Sequence, residues 1–204
     1  LNRYADAAAI YESVCPELES HDCYNELGIA RSSLGGFPEA IQSFRRALEI
    51  DPDSAVAHSN LAVAIAHTGR IDAALNHHQQ AMDLDPGGVI VGINYGVFLF
   101  AQKKYDAARR VFRGLLNTHP NLFYARLYLG RILYQERKYR DAVYELNRGI
   151  QINDQSFDLF YYRALARYRL RDPGGAMSDL ARAEKINPLN GVTEGLREQI
   201  KRDR

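Results

Sequence analysis

The chain has 204 residues, 46% of them apolar and 25% charged, with a formal net charge of +1. These are ordinary values for a globular protein, and no apolar run approaches the roughly 20 residues that span a bilayer. The small net charge hides a division: residues 1–88 hold 5 Lys and Arg against 13 Asp and Glu, a net of −8, while residues 89–204 hold 21 against 12, a net of +9. Such asymmetry bears on partners and association rather than on fold.

The chain opens at Leu1 rather than Met and reads as a piece of a longer protein, with an upstream signal or anchor left open. Residues 1–20, with Tyr4-Ala5-Asp6-Ala7 and Tyr11, read as the second helix of a unit whose first helix is missing, and Cys15-Pro16 is expected to end it. Cys15 and Cys23 are the two cysteines. A stacked array needs no staple, so they are expected as reduced, half-buried thiols, with a disulfide as the alternative. The compartment stays open on this basis, with a lean towards the cytoplasm.

From His21 onward one block of 34 residues recurs five times, over residues 21–54, 55–88, 89–122, 123–156 and 157–190. Block position 8 holds Gly28, Ala62, Gly96, Gly130 and Ala164, and position 20 is Ala in every block, from Ala40 to Ala176. Position 24 holds Phe44, His78, Phe112, Leu146 and Leu180. A fixed period of this length signals a stacked repeat array. In the second block, Ala55–Thr68 is apolar without internal Gly or Pro, Gly69-Arg70 breaks it, and Ile71-Asp72 opens a helix to about Leu84, ended by Asp85-Pro86-Gly87-Gly88. Phe37-Pro38-Glu39 and Tyr105-Asp106 open second helices in the same way, with an acidic residue in the first turn favoured by the helix dipole. Small residues at positions 8 and 20 fit a close crossing of two helices if they face each other. Residues 191–204 read as a final capping helix with Val192, Leu196 and Ile200 on one apolar face.

These residues carry a family resemblance. Leu27-Gly28, Phe37, Ala40, Phe44, Ala47 and Pro52 match at every point the pattern of the tetratricopeptide repeat (TPR), which the chain resembles over residues 21–190. Departures are local: His78 at position 24, Asp154 for Pro, Pro173 for the aromatic at 17, and Arg163 and Arg167 at the usual core positions 7 and 11. The resemblance implies an all-α, right-handed α-solenoid forming a single array over residues 1–204. It also implies a concave groove lined by first helices, chiefly at positions 2, 5, 9, 12 and 13. Those positions, with position 6, give the candidate groove residues Asn25, Asn60, Ile90, Ile93, Asn94, Val97, Phe100, Tyr124, Leu127, Arg131, Tyr134, Tyr161, Leu165, Tyr168 and Arg169. The groove should be small and polar early, aliphatic in the middle, and aromatic with arginine late. Aromatic and Arg side chains are the types enriched at binding hot spots, and exposed apolar surface marks interaction sites.

No catalytic or phosphate-binding motif stands out, so the expectation is a non-enzyme with no cofactor and no metal. His77 and His78 point about 100° apart on one helix and read as one exposed residue and one filling the position 24 gap. Asn25, Asn60 and Asn94 could bond a partner's extended backbone, because an amide both donates and accepts. A carboxylate clamp lacks its Lys. Basic residues are spread over both helices of each block, short of the clustered stripe that nucleic acid requires. The expected function is a scaffold that grips a peptide or helix of another protein. The alternatives are self-assembly of acidic on basic halves, or the recognition arm of an enzyme in a missing part of the chain.

Overall fold

The computed structural model describes residues 2–203, so the first and last residues of the expected terminal helices lie outside it. Among the described residues there are twelve α-helices and no strand. A first helix, α1 (Asn2–Leu18), precedes five helix pairs: α2 (His21–Ser33) with α3 (Phe37–Ile50), α4 (Ala55–His67) with α5 (Ile71–Leu84), α6 (Val89–Ala101) with α7 (Tyr105–Thr118), α8 (Phe123–Gln135) with α9 (Tyr139–Ile152), and α10 (Phe157–Arg169) with α11 (Pro173–Ile186). A last helix, α12, spans Val192–Arg202. Every first helix starts at block position 1 and every second at position 17, so the 34-residue period sets the element bounds. The chain divides into two compact units, with the boundary inside α6 after Phe98.

The turn between paired helices has one recurring device. Block position 15 has a positive φ in all five repeats: 83° at Gly35 and at Gly69, 58° at Lys103, 61° at Arg137 and at Arg171. Left-handed backbone is free of cost for glycine but brings Cβ against the next carbonyl in other residues, by about 1–2 kcal/mol. The last three repeats therefore carry a basic residue at a position that backbone sterics would give to glycine.

In the first unit, Ser20 and Ser54 cap α2 and α4 by accepting from the N–H of Cys23 and of Ala57. The small residue at position 8 also lies against the large residue at position 24. A Cβ on Gly28 would sit inside the ring of Phe44. Gly28 thus makes room for a large side chain, and Phe44 is 1% exposed as a result. Two expectations at the start of the chain fail. Cys15 and Cys23 form a disulfide, with Cα atoms 5.4 Å apart, instead of remaining thiols. The covalent bond ties α1 to α2. Nor does Cys15-Pro16 end α1, which runs to Leu18 with Pro16 inside. Proline removes one backbone donor, and here that loss falls in the last turn, where little helix remains to be broken.

In the second unit the same packing recurs between Gly130 and Leu146, whose Cγ would lie 2.5 Å from an added Cβ. Gly149 at position 27 performs this role between repeats, against Leu159 of the next first helix. Arg163 and Arg167, which stand at core positions, share a buried carboxylate. Asp179, 2% exposed, accepts from Arg163 Nε at 2.9 Å and from Arg167 Nη1 at 3.0 Å, and also pairs with Arg163 Nη2. Asn147 takes Arg163 Nη1 at 2.7 Å, so the cluster also ties α9 to α10. α12 does cover the last repeat, but on a different face: Leu196 and Ile200 are buried with Thr193 beside them, whereas Val192 is 55% exposed. The buried set follows i, i+3, i+7 from Thr193, because α12 begins at Val192, where the chain has only just left the turn.

Candidate functional site

The candidate residues sort by unit, and in the first unit many are already engaged. Asn25 is buried and accepts from Asn60 Nδ2 at 3.0 Å. Asn94 Nδ2 donates to Ser59 Oγ, also at 3.0 Å. The two bonds are one motif repeated: position 5 of one block accepts from position 6 of the next. The amides that could have met a partner's backbone therefore join successive first helices. Ile93, Asn94 and Val97 are half-buried, and Ile90 is exposed at 55%.

The histidines of this unit are structural. His78 is fully buried at position 24 against the rings of Tyr95 and Phe98, and neither ring nitrogen has a hydrogen-bond partner. Burial, with a smaller contribution from neighbouring His77, pushes its pKa down to about 4. His77 is not exposed as expected. It is half-buried, its Nδ1 lies 3.1 Å from His58 Nδ1, and burial followed by the charge of His58 lowers its pKa. His67 stacks on Phe37 with ring centroids 4.2 Å apart.

In the second unit the first-helix residues form a different surface. Arg131 is half-buried, with its guanidinium carbon 4.6 Å from the centroid of Phe100, 4.7 Å from Tyr128 and 4.6 Å from Tyr162. Each such approach is worth about 0.5–2 kcal/mol, more where water is excluded. Tyr128 and Tyr162 occupy position 6, where the preceding blocks have Asn60 and Asn94. The sequence reading missed both. The change from amide to aromatic at one fixed position was the available signal. Burial raises the Tyr162 pKa, and the positive charge of Arg131 opposes that rise.

Tyr134 and Arg169 are joined by a long bond, Arg169 Nε to Tyr134 Oη at 3.4 Å. Tyr168 Oη donates to the Asp203 carboxylate beyond α12, and that bond raises the tyrosine pKa. Tyr124 is exposed at 47%, while Tyr134, Tyr161 and Tyr168 are half-buried. Leu127 is buried with Tyr162 packed on it, and Leu165 is half-buried on the core under α12. Leu127 therefore belongs to the core and offers no surface.

Known proteins place this architecture. A TPR repeat model matches residues 28–69, and a tetratricopeptide repeat model matches residues 66–122 and 99–168, together well over half of the chain. The matches stop within the fifth block, where Arg163, Arg167 and Pro173 depart from the pattern. The solved structure of Pseudomonas aeruginosa PilF is similar at a TM-score of 0.78 and 26% identity, over 85% of this chain and 79% of that one. A tetratricopeptide repeat protein of Parabacteroides merdae aligns at 0.76 and 13% identity over 98% and 78% of the two chains. A thermophilic TPR protein of Thermus thermophilus aligns at 0.73 and 17% identity, over 89% and 98%. No curated protein sequence matches the chain. Among the described residues no helix is long and apolar enough to cross a membrane. With its helix pairs in the family's register and its family models matched, the chain belongs to the tetratricopeptide repeat family, whose members are in general non-catalytic protein–protein interaction scaffolds.

Proposed function

We propose that this scaffold grips a peptide or helical segment of a partner protein on the first helices of residues 99–203. The observation that carries the reading is the concentration there of half-buried and exposed Tyr124, Tyr134, Tyr161 and Tyr168 with Arg131 and Arg169, the residue types that dominate binding energy at interfaces. A displayed library of random peptides, panned against the chain and against Tyr134→Ala with Tyr168→Ala, tests it. Enriched binders should bind at least about tenfold more weakly to the double variant at unchanged helical content, roughly 1.4 kcal/mol or more. Equal binding by both proteins refutes the surface.

A second reading rests on the charge division, −8 over residues 1–88 and +9 over 89–204. Acidic-to-basic contacts between copies would be heterologous and build rings or filaments. Light scattering across a salt series separates it from the first, because a particle that stays monomeric at low salt excludes self-assembly. The Cys15–Cys23 disulfide supports placing the chain in an oxidising compartment, and moves the preference away from the cytoplasm. Both sulfurs belong to buried residues, so the bond reads as structural rather than as a reactive redox pair.

A further inference from the structure

Resting on the peptide-binding reading above, we infer that Arg131 is the anchor for a side-chain carboxylate of the bound segment, so that the partner is an acidic peptide bearing Asp or Glu next to apolar residues. The other half-buried or buried arginines of this unit set the contrast. Arg109 pairs with Glu136, Arg126 with Glu145 at 2.7 Å, Arg163 and Arg167 with Asp179, Arg182 with Asp154 at 3.5 Å, and Arg197 with Glu184 at 2.5 Å. Arg131 has no such counter-charge among the described residues, and its Nε is buried with no hydrogen-bond partner. Arg109, Arg126 and Arg197 also leave Nε unbonded, but each has a carboxylate on another guanidinium nitrogen.

The three rings of Phe100, Tyr128 and Tyr162 hold the Arg131 guanidinium in place while removing part of its water. A cation that is fixed in position, partly desolvated and without an anion gains more from an incoming carboxylate than a mobile surface charge does. The surrounding unit, at +9 over residues 99–204, attracts such a segment from a distance. A single guanidinium walled by three rings suits one side-chain carboxylate and not the several donors of a terminal-carboxylate clamp.

The test uses the whole chain and a short fluorescein-labelled, C-terminally amidated peptide of Glu, Leu and Ala, with a twin carrying Gln for every Glu. Anisotropy at low salt should show the Glu peptide binding about tenfold or more tightly than the twin. Arg131→Gln should remove that preference, so that the variant binds the Glu peptide and the twin about equally. Arginine Nε–H resonances of the unaltered protein give a readout that does not depend on how the variant folds, and one of them should shift with the Glu peptide and not with the twin. Equal affinities for the two peptides, or a shift with both, overturn the anchor. If both peptides bind alike and the Tyr134→Ala, Tyr168→Ala protein loses both, the anchor fails and the groove reading stands. Binding of neither peptide overturns the anchor, and the library panning then decides the groove separately. Preference for a free C-terminus over the amidated Glu peptide would replace the side-chain carboxylate with a terminal one. Low-salt self-association abolished by Arg131→Gln would replace the peptide with a second copy. Either result overturns the inference as stated.

Discussion

His78 gives the protein an acid-sensitive point inside the first unit. It fills position 24, where other repeats have Phe or Leu, and it is fully buried with both ring nitrogens unbonded. In the unfolded chain an imidazole titrates near 6.5, whereas in the fold this one titrates at about 4. As the pH falls below 6.5 the unfolded chain takes up the proton first, so stability is lost through the window from 6.5 down to about 4 and is flat below it. A gap of about 2.5 at about 1.4 kcal/mol per pH unit gives a full loss of about 3.5 kcal/mol, of which about 2 has gone by pH 5. His78→Leu is close in volume and restores the apolar residue found at Leu146 and Leu180. Urea melts at pH 7 and pH 5 should show the parent protein losing about 2 kcal/mol more than the variant over that interval. At pH 7 the variant should be more stable by about 1 kcal/mol, because the two unbonded nitrogens are gone. The His78 ring resonances should stay those of neutral imidazole down to about pH 5. Parallel losses in the two proteins, or a ring that titrates near 6.5, would refute the account.

Reducing Cys15–Cys23 reopens a nine-residue loop and should destabilise the N-terminal helix pair by about 2.5 kcal/mol, with loss of amide-exchange protection confined mainly to α1; unchanged protection would mean the packing of α1 suffices without the bond. Asp179→Ala strands Arg163 and Arg167 and should cost about 3–5 kcal/mol in urea melts, whereas Asp154→Ala, removing the exposed partner of Arg182, should cost under about 1; similar costs at the two sites would contradict the burial argument. Arg137→Gly relieves about 1–2 kcal/mol of left-handed strain against about 0.5–1 of added unfolded-state entropy, so a net gain of about 0.5 kcal/mol is expected. Gly35→Ala should lose about 1 kcal/mol in the same assay.

The helix bounds were legible in the sequence because a strict period forces each helix pair into the same local geometry, and Gly69-Arg70 and Asp85-Pro86 mark the ends where the backbone leaves the helix. Contacts between helices were much less so. Gly28 lies against Phe44, since what matters is which side chain crosses the helix axis, and spacing along the sequence does not report that. Asn25 and Asn60 looked available because their one visible property was polarity; their mutual bond joins positions 35 residues apart. Arg163 and Arg167 looked anomalous until Asp179 supplied the missing charge from the paired helix. The disulfide was underrated because the need for a staple was judged on the five 34-residue blocks, and Cys15 lies ahead of them. At the candidate surface, Tyr134, Arg169 and Phe100 were found by position alone, whereas Tyr128 and Tyr162, the other two partners of Arg131, sit at position 6, where only the asparagines of the earlier blocks were taken as lining.

The left-handed turn residues also make the chain legible to a protease. Trypsin cleaves after Lys and Arg, and Lys103, Arg137 and Arg171 place exposed sites in the turns of the last three repeats, with Lys104 and Lys138 adjoining the first two. Each turn is held by its own backbone bond, from Lys103 N–H to Phe100, Arg137 N–H to Tyr134 and Arg171 N–H to Tyr168. Cutting therefore waits on local opening, and the three cleavage rates measure how often each repeat unlatches. Native sequence thus supplies a built-in set of clocks, one per repeat, whose relative speeds would show where along the second unit the fold is loosest and how a bound partner tightens it.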